Sequence, residues 1–335
     1  MTCCCIAARL RTLGGGSAKA VFDILSITLP IFSIILVGYV VVRFGPLTSG
    51  HMRALGEFTM LVSLPCALFH AVATRSFGEV VNPSYLITLA LAGLASQATI
   101  WTVVRFQNVG PMRRALGVLS AATPNTAFLG YPIFLLVIPE HAGPVVAMNL
   151  LIENLLLTPI GLLLIGRADS QGQAISQGRL FLRTILSVLR RPLIIGLLLG
   201  FAVLVLGVSP PEELTRFTAL LGQAAAPVAL VVIGGSLVGL NLRGDLSLAA
   251  QIAAVKMIVH PAMVALVLSG LAIIGLPHLD RELVVGALLT ASLPMFASFI
   301  LFGQEAGHEG LASLAVMIST CLSFATINLA LLILL

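Results

Sequence analysis

Charge is what this sequence has least of. Only 9% of its 335 residues are Asp, Glu, Lys or Arg, against about a quarter in an ordinary soluble domain. Hydrophobic residues make up 59%, with a mean hydropathy of +1.10, and no soluble fold can hide that much apolar surface. Cysteine is also scarce. Cys3, Cys4 and Cys5 stand together in the N-terminal tail, while Cys66 and Cys321 lie inside apolar runs, which gives neither a disulfide framework nor the paired spacing of a zinc site. A phosphate-binding P-loop is missing, so ATP hydrolysis by this chain has no support. No nucleophile–base pair or metal-ligand cluster stands out, and the expectation is a protein that is not an enzyme and carries no metal or cofactor.

What remains is a series of long apolar runs. A bilayer core about 30 Å thick takes roughly 20 apolar residues per helix, and open strands cannot satisfy their backbone in lipid. The runs predict ten helical spans, near 22–42, 53–73, 83–104, 115–138, 144–166, 192–208, 215–240, 247–275, 283–303 and 311–335. The first exceeds the usual 7–15-residue core of a secretory signal and lacks its cleavage site, so it reads as a retained span. The formal net charge of +5 would suggest nucleic acid in a soluble chain. Here the arginines fall in loops, where they orient a membrane protein instead. The side holding the N-terminus carries six basic residues, Arg9, Arg11, Lys19, Arg75, Arg216 and Arg281. The opposite side carries eleven: Arg43, Arg53, Arg105, Arg113, Arg114, Arg167, Arg179, Arg183, Arg190, Arg191 and Arg243. Both termini are therefore expected outside the cytoplasm.

The longest loop, 167–191, separates five spans from five. The organisation expected is a disordered tail (1–21), a first five-helix unit (22–166), a cytoplasmic linker (167–191) and a second five-helix unit (192–335). Within the linker, Arg179, Arg183 and Arg190 fall within about 40° on a helical wheel, opposite Leu180, Phe181, Ile185, Val188 and Leu189. That pattern suits an amphipathic helix lying on anionic membrane lipid.

An odd number of spans per half requires that related halves be inverted in the membrane. Pro65 and Pro227 lie within the second and seventh spans, Pro124 and Pro294 within the fourth and ninth. Aligning the last pair sets Ser-Ala-Ala-Thr-Pro at 120–124 against Thr-Ala-Ser-Leu-Pro at 290–294. Proline removes a helix hydrogen bond and clashes with the preceding turn, and in lipid the freed groups need another partner. A packing kink can supply one, and so can a cavity holding substrate. After Pro124 come Asn125 and Thr126, which predict a broken helix whose second half starts with free N–H groups near 125–127. A positive helix end of this kind suits an anion.

These residues resemble the auxin efflux carrier family, which includes the PIN exporters of plants and bacterial malate or malonate permeases. The resemblance runs from Phe22 to the C-terminus. It rests on Thr-Pro-Asn-Thr at 123–126 with Ala-Phe-Leu-Gly-Tyr-Pro-Ile at 127–133, on Ala-Ser-Leu-Pro at 291–294, and on Phe-Gly-Gln-Glu-Ala-Gly at 302–307. Thr-Leu-Pro-Ile-Phe at 28–32 and Ser-Leu-Pro at 63–65 agree with the family's first two helices. It implies an all-α integral membrane fold of ten helices, two inverted five-helix repeats with broken fourth and ninth helices crossing at the centre, and export or exchange of organic anions by an elevator-like movement. It also implies a homodimer. By position, Asn125 would contact a substrate carboxylate, Pro124 and Pro294 would mark the crossing, Thr126 would lie beside it, and Glu57 and Gln223 would flank the site. Thr123 departs from the PIN pattern, which has Asn there. The missing long hydrophilic loop points to a bacterial-type protein of the inner membrane.

Charges inside spans cost about 2.5–3.5 kcal/mol each on insertion scales. Glu153, beside Asn149 and Asn154, and Lys256 with His260 four residues on, are the cases here. They could form a proton relay, since buried carboxylates and imidazoles can titrate near neutrality, or a structural pair with a snorkelling lysine. A secondary carrier for a small carboxylate or auxin-like acid, proton-coupled or uniporting, is the reading these features favour. A sodium-coupled symporter like the bile-acid carriers would need more oxygen ligands at the crossing, and a channel would show flux that does not saturate.

Overall fold

Proline placement shapes this molecule as much as hydropathy does. The computed structural model describes residues 17–169, 182, 185–240, 242–273 and 275–334. In it, α1 spans Ser17–Arg43, α2 Ser49–Ala73, α3 Phe77–Arg105, α4 Pro111–Ser120, α5 Thr126–Val137 and α6 Pro139–Asp169. After the linker come α7 (Pro192–Leu206), α8 (Glu212–Ser236), α9 (Leu246–Gly270), α10 (Arg281–Ser292), α11 (Phe299–Glu305) and α12 (Glu309–Leu334). Among the described residues six helices (α2, α3, α6, α8, α9 and α12) are long and apolar enough to cross a membrane, while 28–43 of α1, α5 and α7 are shorter apolar helices. Large apolar side chains such as Leu36, Leu199, Phe217 and Leu329 are exposed on their outer faces, a surface suited to lipid rather than water.

The fourth and ninth runs are each interrupted, between α4 and α5 and between α10 and α11. A wide π turn occurs at four places, Thr59–Ser63, Thr126–Gly130, Glu153–Leu157 and Val255–Val259, the second of them at the start of α5 directly after the first break. Each ends two residues before a proline, at 65, 132, 159 and 261. The residue just before the proline donates its N–H five positions back, as Leu64 does to Thr59 and His260 to Val255. Widening the turn relieves the proline's clash with the carbonyl one turn earlier. Three of these turns hold Thr126, Glu153 and Lys256.

Packing falls into two groups. α1 lies along α8, and α2 along both α7 and α8; in the other group α4 lies against α3 and α6, and α9 against α3, α10 and α12. The Gly234-Gly235-Ser236 patch, which in sequence could have served a dimer or an internal contact, is internal: a Cβ on Gly234 would stand 1.7 Å from the Ile35 carbonyl oxygen of α1. Gly234→Val should therefore prise α8 from α1 and lower the unfolding midpoint, by overpacking worth about 1–3 kcal/mol or more. A thermal melt of the purified variant that matches the wild type would contradict this.

Residues 1–16 of the expected tail lie outside the described residues, and α1 begins at Ser17. Of the amphipathic segment, residues 185–189 are helical, while Arg179 and Arg183 lie outside the described residues, as do Cys3, Cys4 and Cys5. Arg191 turns inward, donating from Nη1 to Asn154 Oδ1 at 3.1 Å. In α12, Asn328 Oδ1 accepts a 2.9 Å interhelical hydrogen bond from Thr28 of α1, whereas Ser319 bonds back to its own helix at Val316.

Candidate functional site

The two interruptions meet. Residues 123–125 and 294–296 run antiparallel, with a bridge between Pro124 and Met295. Asn125 N donates to Pro294 O at 2.8 Å and Phe296 N to Thr123 O at 3.2 Å. Both prolines are buried, and each break so satisfies part of the other's backbone, which apolar surroundings would otherwise leave unpaired. Gly130 permits the approach, since a Cβ there would stand 2.7 Å from Leu293 Cδ1.

Asn125 is 6% exposed. Its backbone is fully used: the carbonyl accepts from Leu129 N and Gly130 N, both at 3.0 Å. The expectation that its own amide stays free is thus corrected, because Pro294 takes it. The free donors at the start of α5 are those of Thr126 to Phe128, which have no acceptor within their helix. The Asn125 side chain is different. Among the described residues it has no hydrogen-bond partner, although an amide offers two donors and an acceptor, and its polar atoms are not sealed off but face accessible space at the break.

Around this point stand the charges. Thr126 Oγ1 donates to Glu153 Oε1, which puts a carboxylate beside the positive start of α5. Lys256 is fully buried and does not snorkel. Its Nζ donates to Ala291 O and Leu293 O, both at 2.8 Å, and so caps the negative end of α10. Glu153 and Lys256 feel each other electrostatically but, among the described residues, form no direct ion pair. His260, one π-widened turn beyond Lys256, is buried with Nδ1 unpartnered.

A second chain of bonds ties α3, α6 and α10 together: Tyr85 Oη donates to Asn149 Oδ1 at 2.8 Å, and Asn149 Nδ2 donates to Thr290 Oγ1 at 2.7 Å. Hydropathy does not single out Tyr85, and Thr290 stands in sequence only as part of the motif before Pro294; their common contact with Asn149 joins them. Glu57 and Gln223 are not part of this buried cluster. Glu57 is exposed and pairs with Arg53 at 3.1 Å, and Gln223 is exposed at the turn that precedes Ala225. Among the described residues no group of His, Cys, Asp and Glu is arranged to hold a metal.

An amide and three backbone N–H groups that have no partner among the described residues, at a positive helix end, are donors of the kind that suit a small anion. Comparison with known proteins bears on what that anion belongs to. A family model described as "Membrane transport protein" matches residues 23–331. A Rhizobium meliloti protein named "Putative malonate transporter" is similar to this chain at 27% identity over 315 residues, covering 91% of this chain and 94% of that protein. The "Lysosomal cholesterol signaling protein" of Mus musculus is 26% identical over 220 residues, which is 62% of this chain and 25% of that much longer protein.

Proposed function

The chain belongs to the membrane transport protein family, the auxin efflux carrier family of the resemblance, and from that premise, which makes it a multi-pass membrane transporter rather than an enzyme, we propose that it is a secondary carrier of a small carboxylate. The observation that carries this is the Asn125 side chain, which lies in the protein interior beside the open start of α5, keeps its polar atoms accessible and has no hydrogen-bond partner among the described residues. The Rhizobium relative's name makes malonate the first substrate to try.

The architecture proposed has ten spans in two inverted repeats, 22–166 and 192–335, joined by the linker 167–191, with α4–α5 and α10–α11 as crossed broken helices. The antiparallel bridge between the breaks supports it. Both termini lie outside the cytoplasm and the protein sits in a bacterial inner membrane, as the arginine distribution favours. Alternating access comes from an elevator-type movement of the group containing α3–α6 and α9–α12 against α1, α2, α7 and α8. The division of packing into those groups supports this. Homodimerisation remains the family-level expectation.

Coupling runs through Glu153. Its carboxylate contacts Thr126, whose backbone amide is one of the anion's donors, so negative charge on Glu153 opposes the anion and a proton on it favours binding. Tyr85, Lys256 and His260 are the other ionisable groups nearby. The test is malonate uptake into proteoliposomes under an imposed pH gradient, or a sodium gradient at uniform pH. The proton gradient should drive accumulation, and Glu153→Gln, which keeps an acceptor for Thr126, should still exchange substrate but lose the response. Sodium-driven accumulation would favour the bile-acid-like reading, and saturation failing at all concentrations would favour a channel.

A further inference from the structure

Away from the crossing, where α3 and α6 end and α4 begins, a cavity of about 390 Å³ is lined by Trp101, Pro111, Arg114, Ala115, Leu164, Arg167 and Ala168. None of these is acidic. One wall is apolar, and two arginines supply positive charge. Arg114 is the telling residue. Among the described residues its Nη2 reaches only Val109 O, at 3.4 Å, and its Nε is buried without a partner, while Nη1 is neither bonded nor sealed off and is the donor open to an anionic oxygen, in a guanidinium whose fork matches a phosphate.

The surroundings fix what kind of anion fits. The Arg105 guanidinium lies 5.0 Å over the Trp101 ring, and the next residue, Phe106, is 80% exposed. An indole, an arginine and an exposed phenyl at the end of an apolar span mark the boundary between hydrocarbon and headgroup. A ligand here must present anionic oxygen to Arg114 and apolar substance to Leu164, Ala115 and Trp101. We infer that this groove is a binding site for one anionic phospholipid, its phosphate held by Arg114 and flanked by Arg105 and Arg167, its acyl chains along Leu164 and Trp101. Bound there, the lipid bridges α3, α4 and α6. Since α4 runs directly into the break at 121–125, lipid occupancy steadies one arm of the crossing.

The test uses the full-length protein in neutral detergent. Phosphatidylglycerol, phosphatidylcholine with the same chains, and inorganic phosphate are titrated separately, reading the unfolding midpoint and the lipid retained in native mass spectrometry. Phosphatidylglycerol should raise the midpoint by several degrees, as a ligand of the folded state does, with one lipid retained; the other two should not. Arg114→Gln should weaken retention at least tenfold. An equal response to phosphatidylcholine, an unchanged response in Arg114→Gln, or a full shift with inorganic phosphate alone (a free-anion site) would each overturn the lipid site. If Arg114→Gln does not fold, Arg167→Gln and Trp101→Leu stand in, and undiminished phosphatidylglycerol retention in both would overturn it equally.

Discussion

Replacing Asn125 with Ala is expected to weaken carboxylate binding by about 10- to 100-fold and leave the fold standing. The two halves of this expectation have separate causes. The fold survives because the Asn125 side chain makes no hydrogen bond among the described residues, while its backbone N–H donates to Pro294 O of the second break and its carbonyl accepts from Leu129 and Gly130 of α5. Alanine keeps all of these. Binding suffers because a hydrogen bond to a charged group contributes about 1.5–3 kcal/mol, and each 1.4 kcal/mol is tenfold in affinity. Asn125→Asp should go further, setting a second carboxylate beside Glu153 and against the substrate. Thermal shift with malonate and a panel of other small carboxylates measures both. A variant with the wild-type melt but no carboxylate-induced shift is the expected result; a folded Asn125→Ala that keeps the full shift would take the anion away from the crossing.

The two breaks were legible in the sequence because their signals are local. Pro124 and Pro294 each sit in an apolar run and announce a break whatever surrounds them, and Asn125 and Thr126 add polarity where none is needed for packing. The charged residues were legible as costs but not as contacts. Lys256 had to find partners, yet nothing in its own helix says that these are the carbonyls of Ala291 and Leu293, some 35 residues on. The widened turns had a signal that went unused: a proline two residues past each of them, which at 159 and 261 rotates Glu153 and Lys256 relative to a regular helix. Glu57 lies apart from the buried cluster for a different reason. Its position in the second helix was correct, but one exposed turn with Arg53 four residues away suffices to turn the carboxylate outward, and the facing of a helix in lipid is not encoded by hydropathy when most of its surface is apolar.

Lys256→Met is expected to be among the most damaging single substitutions in the chain, lowering the unfolding midpoint by roughly 5–10 °C. Methionine fills a similar volume, so the cost is electrical and not a cavity. Ala291 O and Leu293 O lose both of their bonds to Nζ at the end of α10, and unpaired buried acceptors cost about 1–3 kcal/mol each. Glu153 also loses the nearby buried cation, and because the two form no direct ion pair among the described residues this adds less than the roughly 3–5 kcal/mol of breaking a contacting buried pair. The two contributions separate in a double-mutant cycle. Glu153→Gln alone should melt close to the wild type, because the amide oxygen still accepts from Thr126. Placed in the Lys256→Met background, it should recover part of the lost stability, by removing a carboxylate left without its counter-charge. What it cannot restore is the cap on α10, so the double variant stays below wild type. Strict additivity would mean that the lysine matters only as a cap, and that Glu153 exchanges its proton independently of Lys256.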